Sequence, residues 1–212
     1  MKLRNLILLA MALTVAPALA ADGLTAEQAF RTAPRKVFPM LTDNSRLDMV
    51  DYYHSSNNLG AKNSMGGVST VTAITPGSLS VTLTEASNCQ VAVLPAGSDT
   101  LIAVITTVTT PSADSKLTVF TSDWSKIVTP KVFTKPSFKD WLSPEGRKHA
   151  DEAESMIPFL LISYSYDPSD STLTLTNNIH EFLSREIYDM VKPYLLDKIV
   201  YKFNGKRFTR LD

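Results

Sequence analysis

Short segments in which apolar and polar residues alternate follow one another over residues 65–123. Residues 79–84, Leu-Ser-Val-Thr-Leu-Thr, alternate at every position, which predicts a β-strand with one buried and one solvent-facing side. Residues 101–105 are apolar throughout, a pattern typical of a strand that is covered on both faces. Short turns separate the segments, and no stretch of helical length lies between them. The pattern therefore predicts an antiparallel meander of five strands.

Helix start signals precede the meander. Thr25 and Gln28 fit a capping box, and Pro34 ends the short helix that they begin. Thr42 or Asp43 begins a second predicted helix, which ends near residue 55. The apolar residues of this helix predict one buried face, formed by Leu47, Val50 and His54 with Met49 and Tyr53 beside it.

The C-terminal part mixes helices with hairpins. Ser143 is a predicted N-cap for a helix ending near residue 156, and residues 159–166 and 172–176 predict a hairpin. Ser184 caps a further helix, and Asn204-Gly205 predicts a tight turn between two last strands. The apolar stripe of the Ser184 helix consists of Ile187, Met190, Val191 and Tyr194.

These elements predict an α+β fold in which an antiparallel β-meander is flanked by helices. Residues 21–133 hold the N-terminal helices and the meander, and residues 134–212 form a C-terminal helix and hairpin lobe packed on it. Between them, Trp124 is expected to fold back on the sheet, and residues 127–133 are expected as an edge strand. We favour one compact unit over the alternative, two tandem helix-plus-sheet lobes.

The first twenty residues have the features of a secretory signal peptide. Lys2 and Arg4 precede an apolar run at 6–15, and Ala18-Leu19-Ala20 forms a small-x-small cleavage site. The alternative is a membrane anchor, for which the run is too short. No Cys follows the cleavage site, so the lipoprotein pattern is missing, and no later segment is apolar enough to span a bilayer. We expect a periplasmic or extracellular protein.

The charge balance argues against a nucleic-acid partner, and the cysteine content excludes an internal disulfide. A chain that begins at residue 21 has two more acidic than basic side chains, so it lacks the basic excess of a nucleic-acid-binding protein. Cys89 is the single cysteine, which rules out an internal disulfide. Its place within a predicted strand indicates a small buried residue.

Candidate chemistry is sparse. Residues 149–154 contain one His and three acidic residues, but a single segment rarely supplies a whole metal site, so a solvated helix face is favoured. Asp167 and Asp170 lack the calcium-loop pattern and fit a turn. The motifs of serine hydrolases, phosphate-binding loops and zinc proteases are missing. An enzyme is therefore disfavoured, and we expect no cofactor or metal.

Aromatic residues concentrate on the C-terminal strands. Tyr164 and Tyr166 share one strand face, and Tyr201 and Phe203 share another. Core packing is the favoured explanation. The functional alternative makes these four residues an exposed platform for a protein or glycan partner, and they are the candidate partner surface.

Three stretches, residues 41–52, 79–95 and 113–124, resemble a family of exported proteins of unknown function from Bacteroidales. The resemblance runs over most of the chain beyond the signal peptide. It implies a bacterial cell-envelope setting, and it carries no activity, cofactor or site residue.

Three hypotheses for the function remain. The first is a non-enzymatic binding or interaction module of the envelope. The second is an envelope hydrolase with dispersed residues, which requires that His54, His149 or His180 meet a carboxylate or Ser in a cleft. The third is a structural subunit that joins its neighbours by sheet-edge pairing, which requires an uncovered, flat edge strand.

Overall fold

A computed structural model describes residues 23–57, 59–157 and 159–211, and the predicted signal peptide lies outside them. The predicted α+β class is confirmed, with antiparallel sheets of six and four strands. The helices are α1 Ala26–Thr32, α2 Asp43–His54, α3 Thr129–Val132, α4 Ala150–Met156 and α5 Arg185–Val191. The strands are β1 Ala61–Lys62, β2 Val68–Ile74, β3 Ser78–Thr84, β4 Ser87–Ala96, β5 Asp99–Val108, β6 Asp114–Thr121, β7 Ile162–Asp167, β8 Thr172–Asn177, β9 Lys198–Phe203 and β10 Phe208–Arg210.

Each sheet is built from strands that are neighbours along the chain. The larger sheet has the order β1 to β6, and the smaller has the order β10-β9-β8-β7. The five predicted strands correspond to β2–β6. The two-residue β1, which pairs with Val68 and Ser69, precedes the five predicted strands and adds a sixth to the sheet.

The larger sheet lies between two other layers. Helices α1 and α2 pack on one face, and the smaller sheet packs on the other. Residues 102–105 of β5 are consequently at most 5% exposed on both faces, as their apolar pattern predicts. The side chains of β5 therefore contribute alternately to both hydrophobic cores.

Helix α2 shows where the apolar pattern misleads. Thr42 caps it by accepting from the Ser45 N–H, as predicted. Met49 and Val50 are buried as predicted, together with Arg46, whereas Leu47 is 38% exposed and His54 lies on the surface, so the predicted buried face is wrong at these two positions. Arg46 is buried because its guanidinium donates to the C-terminal carbonyls of α1 at Phe30 and Ala33.

The connector between the sheets also departs from expectation. Residues 127–133 are not a strand: Ile127 forms an isolated bridge to Phe120, and α3 follows, with Pro130 in its first turn. Trp124 does fold back as predicted. It is 5% exposed, and its ring centroid lies 5.1 Å from that of Phe120.

Two C-terminal helix predictions need correction, and the last hairpin is confirmed. Ser143 accepts from the Gly146 N–H within a turn, and α4 begins only at Ala150. Ser184 caps α5, but Val191 alone of its predicted stripe is fully buried. Ile187 and Met190 are 40% and 57% exposed. Gly205, with φ of +85°, turns the chain between β9 and β10.

Candidate functional site

The four aromatic residues predicted as a partner surface lie in the core. Tyr164, Tyr166, Tyr201 and Phe203 are 3–9% exposed, and they pack between the two sheets with Phe133 and Phe208. Burial, with the nearby charge of Asp114, raises the pKa of Tyr164 to about 12. The prediction of an exposed aromatic platform is therefore wrong. Alternate side chains of β7 and β9 face the larger sheet, and the larger sheet covers them.

The histidines required by the hydrolase hypothesis are dispersed. His54 Nε2 lies 2.8 Å from Glu27 Oε2, and His149 lies 3.4 and 3.3 Å from carboxylate oxygens of Glu145 and Glu152. His180 packs beside the Tyr188 ring. Within the described ranges, no Ser, Thr or Cys hydroxyl or thiol hydrogen-bonds to any of these rings. His54 and His149 thus meet a carboxylate, one of the two kinds of partner that the hydrolase hypothesis names.

Other candidate groups have structural roles. Asp167 accepts from the N–H and hydroxyl of Ser169, and Asp170 accepts from those of Thr172, so both shape the β7–β8 turn. Burial raises the pKa of the Cys89 thiol to about 12, despite a hydrogen bond with Thr106. Among the described residues, no group of three or more His, Cys, Asp or Glu could hold a metal ion.

The edge of β7 is closed by side chains from the larger sheet. The Ile162 N–H donates to Asp114 Oδ1 at 2.9 Å, and the Tyr164 N–H donates to Ser115 Oγ at 3.0 Å. Gln90 completes the row. Its amide accepts from the Tyr166 N–H at 3.0 Å and donates to the Tyr166 carbonyl at 2.7 Å. A further chain could not pair with this edge without displacing these bonds.

The neighbouring edge, that of β6, is covered over only part of its length. The Val119 N–H donates to Thr129 Oγ1, its carbonyl accepts from the Val128 N–H, and the Thr121 N–H donates to the Lys126 carbonyl. Outward-facing main-chain groups recur at every second residue of a strand, so those of Leu117 and Ser115 also face away from β5. Across the described ranges, no hydrogen bond occupies these outward groups. We call residues 115–117 the open segment.

A hollow lies on each side of the open segment. The inter-sheet hollow has a volume of about 560 Å³, and the helix-side hollow has a volume of about 550 Å³. Residues 114–116 border both. The inter-sheet hollow is also lined by Leu117, Thr129, Phe133, Thr134, Lys135 and Tyr164. The helix-side hollow is also lined by Lys36, Val37, Val104, Thr106, Phe120 and Ile127.

Positive charge surrounds this region, which we call the β6 cleft: the open segment with its two hollows. Lys36, Lys116 and Lys135 are exposed at its rim. Among the described residues that line the two hollows, Asp114 has the one carboxylate, and it accepts from the Ile162 N–H. The cleft thus offers main-chain hydrogen bonds, apolar walls and ammonium groups, a combination suited to binding.

Sequence reasoning did not find this cleft. Its signal in the sequence is weak: a Lys at position 116 within a strand, and Pro130 soon after β6. Which main-chain groups remain unpaired depends on how the strands assemble, and a local pattern does not contain that information.

Comparison with known proteins places the chain in a family. A family model described as a protein of unknown function, DUF3256, matches residues 18–208. The chain belongs to this family. No curated protein matches it. This membership agrees with the sequence resemblance to a family of unknown function.

A solved structure shares the fold of this DUF3256 protein. It is a domain of an uncharacterized protein from Porphyromonas gingivalis W83, a member of Bacteroidales. The TM-score is 0.72 at 22% identity, and the match covers 87% of this chain and 98% of that one. The described residues contain no helix long and apolar enough to cross a membrane.

Proposed function

We propose that this DUF3256 protein is a non-enzymatic binding module of the bacterial cell envelope, exported by residues 1–20, and that it holds a partner protein in the β6 cleft. The observation that carries the binding role is the open segment between two hollows. Support for the envelope setting comes from the signal-peptide pattern and from the family resemblance.

A polypeptide suits the cleft better than a glycan does. Outward N–H and C=O groups two residues apart match the main-chain spacing of another extended chain. Sugar rings are commonly held by aromatic faces, and three of the aromatic residues suggested for this purpose, Tyr166, Tyr201 and Phe203, line neither hollow and are buried between the sheets.

Repeated edge-to-edge assembly, the third hypothesis, has less support. The edge of β7 is closed by Gln90, Asp114 and Ser115, and β1 has only two residues. Lys116 places a charge on the open part of β6, which opposes pairing between identical edges. A short open segment suits a single ligand segment better than a continuous sheet.

Site-specific crosslinking in native cells tests the binding role. A photo-reactive amino acid is placed at Thr134 in the inter-sheet hollow, at Thr106 in the helix-side hollow, and at Ser165 on the outer face of the smaller sheet. We expect one shared protein adduct from Thr134 and Thr106 and none from Ser165. Identical adducts from all three positions, or none from the two cleft positions, would contradict the proposal.

Export is tested separately. We expect the mature protein, recovered from cell fractions, to begin at Ala21 and to lie outside the cytoplasm. A cytoplasmic protein that keeps residues 1–20 would contradict this part of the proposal.

A further inference from the structure

We infer that the ligand of the β6 cleft is an acidic segment of extended polypeptide that adds to β6 as a further strand. The inference rests on the proposed binding function and specifies its ligand. It follows from three independent properties of the cleft: the main-chain groups of the open segment, the two hollows and the three lysines.

The protein's own chain already occupies the adjacent part of this edge. Residues 126–129 run along β6 antiparallel to it, and they use the outward groups of Val119 and Thr121. The chain then leaves the edge at α3. The next outward main-chain groups along β6 are those of Leu117 and Ser115. A second chain that continued the line of residues 126–129 could pair with them.

The hollows match the alternation of an added strand. Side chains of a strand point in turn to opposite faces of its sheet. A segment paired with residues 115–117 would place alternate side chains in the inter-sheet hollow, against Phe133 and Tyr164, and in the helix-side hollow, against Val104 and Phe120. Both hollows have apolar walls, so β-branched or other medium-sized side chains fit there.

The lysines determine the charge of the ligand. Lys36 and Lys116 line the helix-side hollow, and Lys116 and Lys135 line the inter-sheet hollow, so acidic residues on either face of the added strand meet an ammonium group. Asp114 places one negative charge at both hollows, so the three ammonium groups leave the cleft with a net positive charge. Exposed ion pairs of this kind change affinity by roughly 1.5- to 5-fold each.

Binding of defined peptides to the purified protein tests the inference. The probes are a blocked heptapeptide, Glu-Glu-Val-Thr-Val-Glu-Glu, and a counterpart in which Lys replaces each Glu. We expect the acidic peptide to bind about tenfold more tightly than the basic one. We also expect it to slow hydrogen exchange at the Leu117 amide, as measured by NMR.

Backbone methylation separates strand addition from binding by side chains. Two further peptides carry N-methyl groups at odd or at even positions. Only every second N–H of an added strand faces β6. One of the two methylated peptides should therefore lose binding, and the other should retain it. An equal loss of affinity in both methylated peptides would overturn strand addition.

Two pairs of variants locate the site. Thr134→Trp, which fills the inter-sheet hollow from an exposed position, should weaken binding, whereas Thr134→Ser should not. The double change Lys116→Glu and Lys135→Glu should reverse the preference between the acidic and basic peptides, and Lys206→Glu on the distant β9–β10 turn should not.

The outcomes distinguish the ligand class from the binding role. Equal affinity for both peptides, or no binding of either at about 1 mM, would overturn the inference. If the crosslinks from Thr134 and Thr106 still identified a partner, the proposed function would stand with a ligand of another kind. If the crosslinks failed as well, both the proposed function and the inference about its ligand would be contradicted.

Discussion

The edges of β6 and β7 meet at Asp114 and Ser115 and are protected to different extents. The outward N–H groups of β7 each find a side-chain acceptor on the larger sheet, at Asp114, Ser115 or Gln90. The edge of β6 is covered by the chain's own residues 126–129 over one half, and none of the described residues bonds to it over residues 115–117. Sheet edges in folded proteins are usually protected, so the uncovered part stands out.

The same residues take part in both edges. Asp114 and Ser115 direct their side chains to β7, while the main chain of Ser115 faces the cleft. The bonds that close the edge of β7 therefore also hold the edge of β6 in place, because they join the two strands beside the inter-sheet hollow. The comparison indicates that the β6 cleft is preorganised by the stacking of the two sheets.

The largest effect should come from Gln90→Leu, which removes both hydrogen bonds to Tyr166. Leaving a partly buried N–H and C=O unpaired should lower the free energy of unfolding by about 2–4 kcal/mol, measured by urea denaturation. Ser165→Ala, on the outer face, serves as the control and should change it by less than about 0.5 kcal/mol. If both variants gave the same small change, the closed edge would not contribute to stability.

A smaller loss is expected from Ser115→Ala. The hydroxyl accepts from the Tyr164 N–H at 3.0 Å and bonds Thr107 Oγ1 at 2.8 Å, so its removal should cost about 1–2 kcal/mol in urea denaturation. Ser115→Thr, which keeps a hydroxyl, should recover part of the loss. An equal loss in both variants would point to packing as the cause.

The covered half of β6 is tested by Thr129→Val, which keeps the shape of the side chain. Val119 then loses the acceptor for its N–H, which lies 2.8 Å from Thr129 Oγ1. We expect the free energy of unfolding to fall by about 1 kcal/mol and hydrogen exchange at the Val119 amide to become faster. Unchanged exchange at Val119, with exchange at Ala103 on β5 as the reference, would mean that the Thr129 hydroxyl does not protect this edge.

The smallest effect lies outside both edges, at Glu27 between α1 and α2. Burial alone would raise the pKa of this carboxyl, but hydrogen bonds and charges of His54 and Arg31 outweigh it and lower the pKa below 4.5. The charged form is thus favoured in the folded protein, and its contribution is lost as the pH falls below that ordinary value.

Glu27→Gln should therefore reduce the free energy of unfolding at pH 7 by less than about 1 kcal/mol. The difference from the unchanged protein should shrink on acidification below pH 4.5, and peptide binding at the β6 cleft should be unaffected at neutral pH. A difference that stays constant down to acid pH would show that the ionised carboxylate is not its source.

Local patterns in the sequence predict much of the fold. The alternation in β3, the fully apolar run in β5 and the caps at Thr25 and Thr42 each correspond to the structure, because strand and helix periodicity depend on nearby residues. The errors concern burial. Arg46 is buried because carbonyls of another helix accept its donors, and Met190 is exposed because none of the described elements covers that side of α5.

The candidate site was less accessible to prediction. Gln90 closes the β7 edge by bonding a residue 76 positions further along the chain, and no spacing rule links the two. The sequence indicates the aromatic pairs on β7 and β9, but whether their shared face is covered depends on how the two sheets stack. An unpaired edge is a property of the assembled sheet, so it becomes visible only in three dimensions.

The order of strands in the two sheets also bears on how the protein folds. Within each sheet every strand pairs with its neighbour along the chain, so most pairs can form as hairpins, and the long connection is the one between β8 and β9, residues 178–197. Low sequence separation between contacting residues favours rapid folding. Contacts between distant residues arise when the helices and the second sheet dock, so we expect docking to limit the rate, and the β6 cleft to appear only in the final step.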